Sequence, residues 1–261
     1  MRDIVVRDKN NQIRLKFLKW DTQFFGLKSF AVDTQRTNIN RSYQNLLRKT
    51  IPRMHSTFVS AKVPVGFSQT LIDFLFDLDF RYIGTAILLE YVPNSDVASR
   101  DIPCITDKGV IIEKATGVPK DAHMLGNEFK FSRFHLDKNI SQRKADAVWV
   151  SYIRNLKLSS KELLFVARYK HTAIGAVVAK QYVSKKGEKI SNLFFVAVKR
   201  QYQKKCIGSQ LIRYAIEWCT HRSDVITVGT QARNIKALNF YIKNGFARVR
   251  ETAMILHKWG R

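Results

Sequence analysis

The chain's 261 residues, 45% of them hydrophobic and 11% aromatic, suffice for one large or two smaller cored domains and exclude a disordered composition. No apolar run approaches the ~20 residues of a membrane span, and the polar opening MRDIVVRDKNNQIRLKF lacks the apolar centre of a secretory signal, so a cytoplasmic protein without a membrane span is expected. The net charge of +24 favours anions, but its cations are spread out, with no zinc finger, RNP motif or dense basic tract, which excludes nucleic acid as the partner. A general basic bias and anionic ligands remain as explanations of the charge.

In chain order, the apolar periodicities predict a strand at 13–20, a helix at 42–51, a strand at 58–63, a helix at about 69–78 and a strand at 81–91. Turn residues at Tyr91-Val92-Pro93-Asn94-Ser95-Asp96 then mark a boundary, giving domains 1–93 and 94–261. A strand follows near 110–113. Ser141 caps a helix whose Ala145, Val148, Trp149, Tyr152 and Ile153 share one face. Residues 163–168, 173–182 and 189–198 read as a three-strand meander. A helix at 207–219 buries Leu211, Ile212, Ala215, Ile216 and Cys219. A strand at 225–229, a helix at 234–244 and a strand near 252–259 complete the chain. Residues 71–80 also align without gaps on 237–246, Leu75 standing at Tyr241 and Asp79 at Gly245. The first 90 residues are thus either a degenerate half-copy of the later fold, without its polar position, or an ordinary amphipathic helix before a strand. Neither version gives them catalysis.

Chemistry concentrates at the end of the meander. The β-prone run Val196-Ala197-Val198 enters a basic loop, and a helix opens at Ile207. Backbone N–H groups of such a loop and first helical turn converge on one point, and the helix dipole favours negative charge there, a layout suited to a pyrophosphate. Downstream, Asn234 fits a helix N-cap and Gly245 a left-handed C-terminal stop, with Ala237, Leu238, Tyr241 and Ile242 as the apolar stripe between them. Each feature also has a purely structural reading: a strand–loop–helix with solvated lysines, and a core tyrosine on a stripe.

Gln203-Lys204-Lys205-Cys206-Ile207-Gly208 resembles the Q/R-x-x-G-x-G/A signature of GCN5-related N-acetyltransferases, with Cys206 where the family has its first glycine. Asn234 to Phe246 resembles the same family's N-x-x-A-x-x-x-Y-x-x-x-G-F marker. The resemblance implies an α/β (α+β) acyltransferase fold, a mixed and largely antiparallel sheet flanked by helices, with a smaller α/β N-terminal domain. It also implies acetyl-CoA as cosubstrate. Val196, Ala197 and Val198 would offer backbone groups to the pantetheine arm and polarise the thioester. Gln203, Lys204, Lys205, Cys206, Ile207, Gly208 and Ser209 would cradle the pyrophosphate, Asn234 would contact the arm, and Tyr241 would protonate the departing thiolate. No general base is readable; His135, Asp137, Glu113 and a water chain all stay open.

Two further segments narrow the resemblance. Leu18-Lys19-Trp20-Asp21-Thr22-Gln23-Phe24-Phe25-Gly26 resembles the W-D-S-x-F-F-G opening of bacterial TDP-fucosamine acetyltransferases. Phe131-Ser132-Arg133-Phe134-His135-Leu136-Asp137 resembles their S-R-F-H-x-D segment. The likeness implies acetylation of the 4-amino group of a dTDP-linked 4-amino-4,6-dideoxy sugar for surface polysaccharide. The polar, aromatic 131–137 segment lies between two structured elements, where a substrate loop can sit, with Arg133 suited to a phosphate and His135 either a substrate contact or a capped surface histidine. The alternatives are another amine, such as a protein N-terminus or an antibiotic, and a non-catalytic acetyl-CoA-binding protein. Cys104, Cys206 and Cys219 and the six scattered histidines have no metal-ligand spacing, so no metal is expected. A homodimer remains open.

Overall fold

The computed structural model describes residues 2–7, 12–34, 41–66, 69–93 and 109–260. The chain divides into two compact units, Met1–Ala86 with Glu251–Arg261, and Ile87–Arg250.

The first unit contains β1 (Ile4–Arg7), β2 (Gln12–Phe17), α1 (Lys19–Phe25), β3 (Lys28–Val32), α2 (Arg41–Thr50), β4 (Thr57–Pro64), α3 (Gln69–Asp77) and the start of β5 (Arg81–Glu90). Its strands run in the order β1-β2-β3-β4-β11, where β11 (Arg248–Trp259) is the chain's last strand. Leu15, Phe30, Leu47, Leu71 and Leu75 are fully or almost fully buried in one apolar core. The expected strand at 13–20 stops at Phe17, because α1 begins two residues later and closes on Gly26, whose φ is +72°. Neither α1 nor β3 was predicted. The expected boundary at 93/94 differs from the first crossing after Ala86, and the last strand, expected in the second domain, belongs with the first unit. It does so because it pairs antiparallel with β4, from Ala253 opposite Pro64 to Trp259 opposite Phe58.

The second unit adds β6 (Val110–Lys114), α4 (Arg133–Leu136), α5 (Gln142–Arg154), β7 (Glu162–Tyr169), β8 (Thr172–Val183), β9 (Lys189–Val198), α6 (Ile207–Thr220), β10 (Val225–Gln231) and α7 (Ile235–Lys243). Its strand order is β10-β9-β8-β7-β6. One face packs on α6 and α7 through Phe165, Ile174, Leu193, Leu211, Val228 and Tyr241. The other packs on α5, with Phe129, Trp149 and Phe195 rings within 6.0 Å of one another. Ser141 caps α5 by accepting the Lys144 N–H at 3.3 Å. A Cβ on Gly126 would lie 2.4 Å from the Val150 nitrogen, so only glycine lets the preceding turn approach this helix. The parallel and antiparallel strands flanked by helices match the expected α/β class. Among the described residues no helix is long and apolar enough to cross a membrane.

The sequence echo has a backbone counterpart. β1–β2 and β2–β3 are antiparallel and β3–β4 parallel; β7–β8 and β8–β9 are antiparallel and β9–β10 parallel. A helix follows β3 and another follows β9, and α3 and α7 end alike. Phe80 N–H reaches back to Leu75 C=O at 3.0 Å, and Phe246 N–H to Tyr241 C=O at 3.1 Å. The residues between, Asp79 and Gly245, lie at φ +62° and +90°. Local chain chemistry thus builds the same turn twice, once with the less comfortable aspartate.

Candidate active site

The site begins where β9 loses a neighbour. Its parallel ladder with β10 ends at Leu193 opposite Val228, yet β9 continues to Val198 and β10 to Gln231. The edge of β9 that faced β10 is therefore open beyond Leu193. Its other edge stays paired with β8 as far as Val198. Lys199 N–H donates to Ile174 C=O at 2.8 Å, and alternation along the ladder sends the Ala197 peptide groups to β8 as well. Those of Val196 and Val198 point the other way, into the opening. This corrects the expectation for Ala197: its side is fixed by register, which leaves Val196 and Val198 as the residues with free edge groups. The Val198 carbonyl is already taken by the Gln203 side chain, whose Nε2 donates at 2.9 Å. Gln203 thus ties the loop to the strand end. A register shift opposite Val178 and Ala179 puts Phe194 and Phe195 together on the α5 face. That bulge had no sequence signal.

The loop then folds back on α6. Lys204 lies at φ +61° and Cys206, at the α6 N-cap position, at φ +60°. The first helical bond runs from Gln210 N–H to Cys206 C=O at 3.0 Å, so the N–H groups of Ile207, Gly208 and Ser209 precede the ladder and point out of the helix end. Left-handed residues among right-handed ones curl successive N–H groups into an anion-binding hollow. Lys204 and Lys205 are exposed beside it, and a Cβ on Gly208 would meet the Phe240 ring at 3.2 Å. Cys206 thus holds a left-handed conformation at the position where the resembled signature has glycine. A non-glycine residue in that conformation costs roughly 1–2 kcal/mol, and Cys206 makes no side-chain cap bond. Cys206→Gly is expected to raise Tm by about 2–4 °C per kcal/mol of relieved strain. Calorimetric melting checks this, and a lower Tm would show that the thiol contributes packing.

On α7, Asn234 Oδ1 accepts the Ala237 N–H at 3.2 Å, leaving Nδ2 as its available donor. Tyr241 is buried against Phe240 and Phe246, and burial raises its phenol above the ordinary range. It stays protonated at neutral pH. Its hydroxyl has no hydrogen-bond partner among the described residues. Ile242, expected on the same stripe, is exposed, since the nine-residue helix turns only its Tyr241 side fully inward.

The segment around α4 is placed differently from expectation. His135 is buried, and both its ring nitrogens are engaged: Nδ1 with Ser132 Oγ at 2.7 Å and Nε2 with Asp146 Oδ1 at 3.0 Å. Burial lowers its pKa despite the opposing pull of Asp146. The neutral ring donates from Nε2 to Asp146 and accepts the Ser132 hydroxyl at Nδ1. No nitrogen is left for a substrate, so His135 fastens this segment to α5 rather than contacting a ligand. Arg133 is half-buried, its guanidinium 4.5 Å from the Phe134 ring centre. Of the two expected substrate contacts, Arg133 alone keeps that capacity. A cavity of 410 Å³, lined by residues such as Arg213, Glu217, Lys243 and Asn244, lies against the C-terminal half of α6, away from the N–H groups at its start. Among the described residues no three His, Cys, Asp or Glu side chains group as a metal site would require.

Residues 130–246 match the acetyltransferase (GNAT) family. A 134-residue stretch is 28% identical to the spore coat polysaccharide biosynthesis protein SpsD of Bacillus subtilis (strain 168), covering 51% of this chain and 44% of that protein. The match thus spans less than half the length of that relative. Among solved structures, a GCN5-related N-acetyltransferase from Kribbella flavida has a TM-score of 0.64 at 10% identity, covering 100% of this chain and 91% of that one. A tandem GNAT protein from the clavulanic acid biosynthesis pathway has a TM-score of 0.61 at 13% identity, covering 98% and 82%. These two likenesses show the GNAT fold.

Proposed function

We propose, from the match of residues 130–246 to the acetyltransferase (GNAT) family, that the chain moves acetyl from acetyl-CoA to the 4-amino group of a dTDP-linked 4-amino-4,6-dideoxy sugar. The family implies acyl transfer from acetyl-CoA. The observation that carries the placement is the open edge of β9 beyond Leu193, continuous with the hollow at the start of α6. The sugar-nucleotide acceptor rests on the W-D-x-x-F-F-G and S-R-F-H-x-D segments, and is supported loosely by the relative named for spore coat polysaccharide biosynthesis.

In this reading the pyrophosphate sits on the N–H groups of Ile207, Gly208 and Ser209, with Lys204 and Lys205 adding charge. The pantetheine arm pairs with Val196 and Val198 along the open edge, and Asn234 Nδ2 donates to it. The Val196 N–H faces the thioester oxygen as negative charge develops there. Tyr241, kept protonated by burial, donates its proton to the departing thiolate. Arg133 is the group suited to a substrate phosphate.

The first unit lacks an equivalent opening among the described residues. β3 is paired with β4 along its whole length, from Lys28 opposite Thr57 to Val32 opposite Ala61, and Thr34 Oγ1 then donates to Lys62 C=O. One acetyl-CoA per chain is therefore expected by calorimetry. Its affinity should fall as salt rises from about 0.1 M to about 1 M, which shortens the Debye length from about 10 Å to about 3 Å. In an acceptor screen, a dTDP-4-amino-4,6-dideoxyhexose should be acetylated and generic peptides should not. Peptide acetylation without turnover of the sugar nucleotide would reverse the substrate reading. Absence of acetyl-CoA binding at either salt would remove the enzyme reading.

A further inference from the structure

Gln231, the last residue of β10, is 8% exposed, yet its side-chain Oε1 is buried with no hydrogen-bond partner among the described residues. A buried amide oxygen left unpaired is costly and calls for an explanation. Its position suggests one. Ile226 and Val228 face the core shared with α6. Thr227, between them, faces the other way and accepts a hydrogen bond from Asn192 Nδ2 at 2.9 Å across the sheet. Strand alternation puts Gly229 and Gln231 on that same face. Gly229 is exposed, and the nearest atom to a Cβ built there would be Leu88 Cδ1 at 3.8 Å. The face thus has a bare floor at Gly229, with the buried amide at its end. Gln231 lies three residues beyond Val228, the last residue of β10 paired with β9, and so stands past the end of the ladder, at the opening.

We propose that Gln231 positions the acyl acceptor: its Oε1 accepts a hydrogen bond from the acceptor's amino group, which rests over Gly229 and faces the open edge of β9. The inference rests on the acetyl-transfer reading of that opening. An uncharged carboxamide offers one acceptor and one donor side by side. It therefore suits an amine flanked by a hydroxyl, as on an amino sugar, better than an isolated ammonium group. The same side chain accounts for discrimination as well as placement, because an acceptor lacking either partner would leave the amide buried and unpaired.

The test uses two variants of the full chain, Gln231→Met and Gly229→Val, with a dTDP-4-amino-4,6-dideoxyhexose as the probe acceptor. Gln231→Met keeps the volume and removes the amide; Gly229→Val puts a side chain on the floor, where a Cβ meets its nearest atom at an ordinary 3.8 Å. Both should raise the acceptor KM about tenfold, the loss expected of one buried hydrogen bond, while the acetyl-CoA Kd by calorimetry stays within twofold. Gln231→Met should also keep or raise the Tm of the ligand-free protein, because no existing bond is lost. Acceptor KM values within twofold of wild type in both variants would overturn the proposal. So would a Tm fall of about 4 °C or more in Gln231→Met, which would make the amide structural, and this holds whether or not the probe is turned over. Loss of acetyl-CoA binding by the wild-type chain would instead overturn the acetyl-transfer reading.

Discussion

Tyr241→Phe is expected to lower kcat by about 10²–10⁴-fold, the usual contribution of a general acid, with little change in the KM of either substrate. The substitution removes one oxygen from a buried ring held by Phe240 and Phe246, and that oxygen bonds to nothing among the described residues. Folding should therefore be unaffected, and the loss should fall on the step in which the thiolate leaves. The pH dependence has a definite sign. A general acid works in its protonated form, which persists below its pKa. Burial raises the Tyr241 phenol above its ordinary value of 10.0, so the wild-type kcat should not fall through ionisation of Tyr241 up to pH 10. Steady-state kinetics with acetyl-CoA and the dTDP-amino sugar measures both effects. A variant with near wild-type kcat would make Tyr241 a packing residue.

What could be read from the sequence divides along physical lines. Long periodic elements were legible because their apolar faces repeat: α5, α6 and the β7–β9 meander appear within one or two residues of expectation. The caps at Ser141 and Asn234 and the stop at Gly245 were legible because each answers a local backbone need. The seven-residue α1 and five-residue β3 were not, since β3 is defined by β2 and β4 on either side rather than by its own pattern.

The site divides the same way. The loop at 203–209 carries a local motif and stands out. The role of His135 depends on Asp146, eleven residues away on another helix, and no spacing within the motif reveals it. The bulge at Phe194 hides in a Phe-Phe pair with no polarity contrast. The unpaired state of Gln231 and the outward turn of Val196 follow from registers among strands that are distant in sequence. A motif can therefore mark a loop, while the direction of one peptide group requires the sheet.

That direction gives the second prediction. Val196 and Ala197 are neighbours with opposite assignments, so proline at each position should have opposite consequences. At Val196 the N–H points into the opening and serves no ladder bond, and proline is tolerated in a strand where its missing N–H faces away from the partner. Val196→Pro should remain folded and lose about 10²–10³ in kcat, the effect of removing one donor to a developing oxyanion. Its acetyl-CoA affinity should weaken far less, because the phosphate hollow is untouched. Ala197→Pro removes an N–H that alternation assigns to the ladder with β8, where Ala197 pairs with the fully buried Ala176. The stranded carbonyl there costs about 1–3 kcal/mol, before any distortion of the central strand. Ala197→Pro should thus lower Tm by roughly 2–4 °C for each kcal/mol. Melting curves and acetyl-CoA titrations of the two variants separate the cases. Equal melting losses would mean that β9 has no open edge at Val196, and near wild-type kcat in a folded Val196→Pro would mean that another donor faces the thioester.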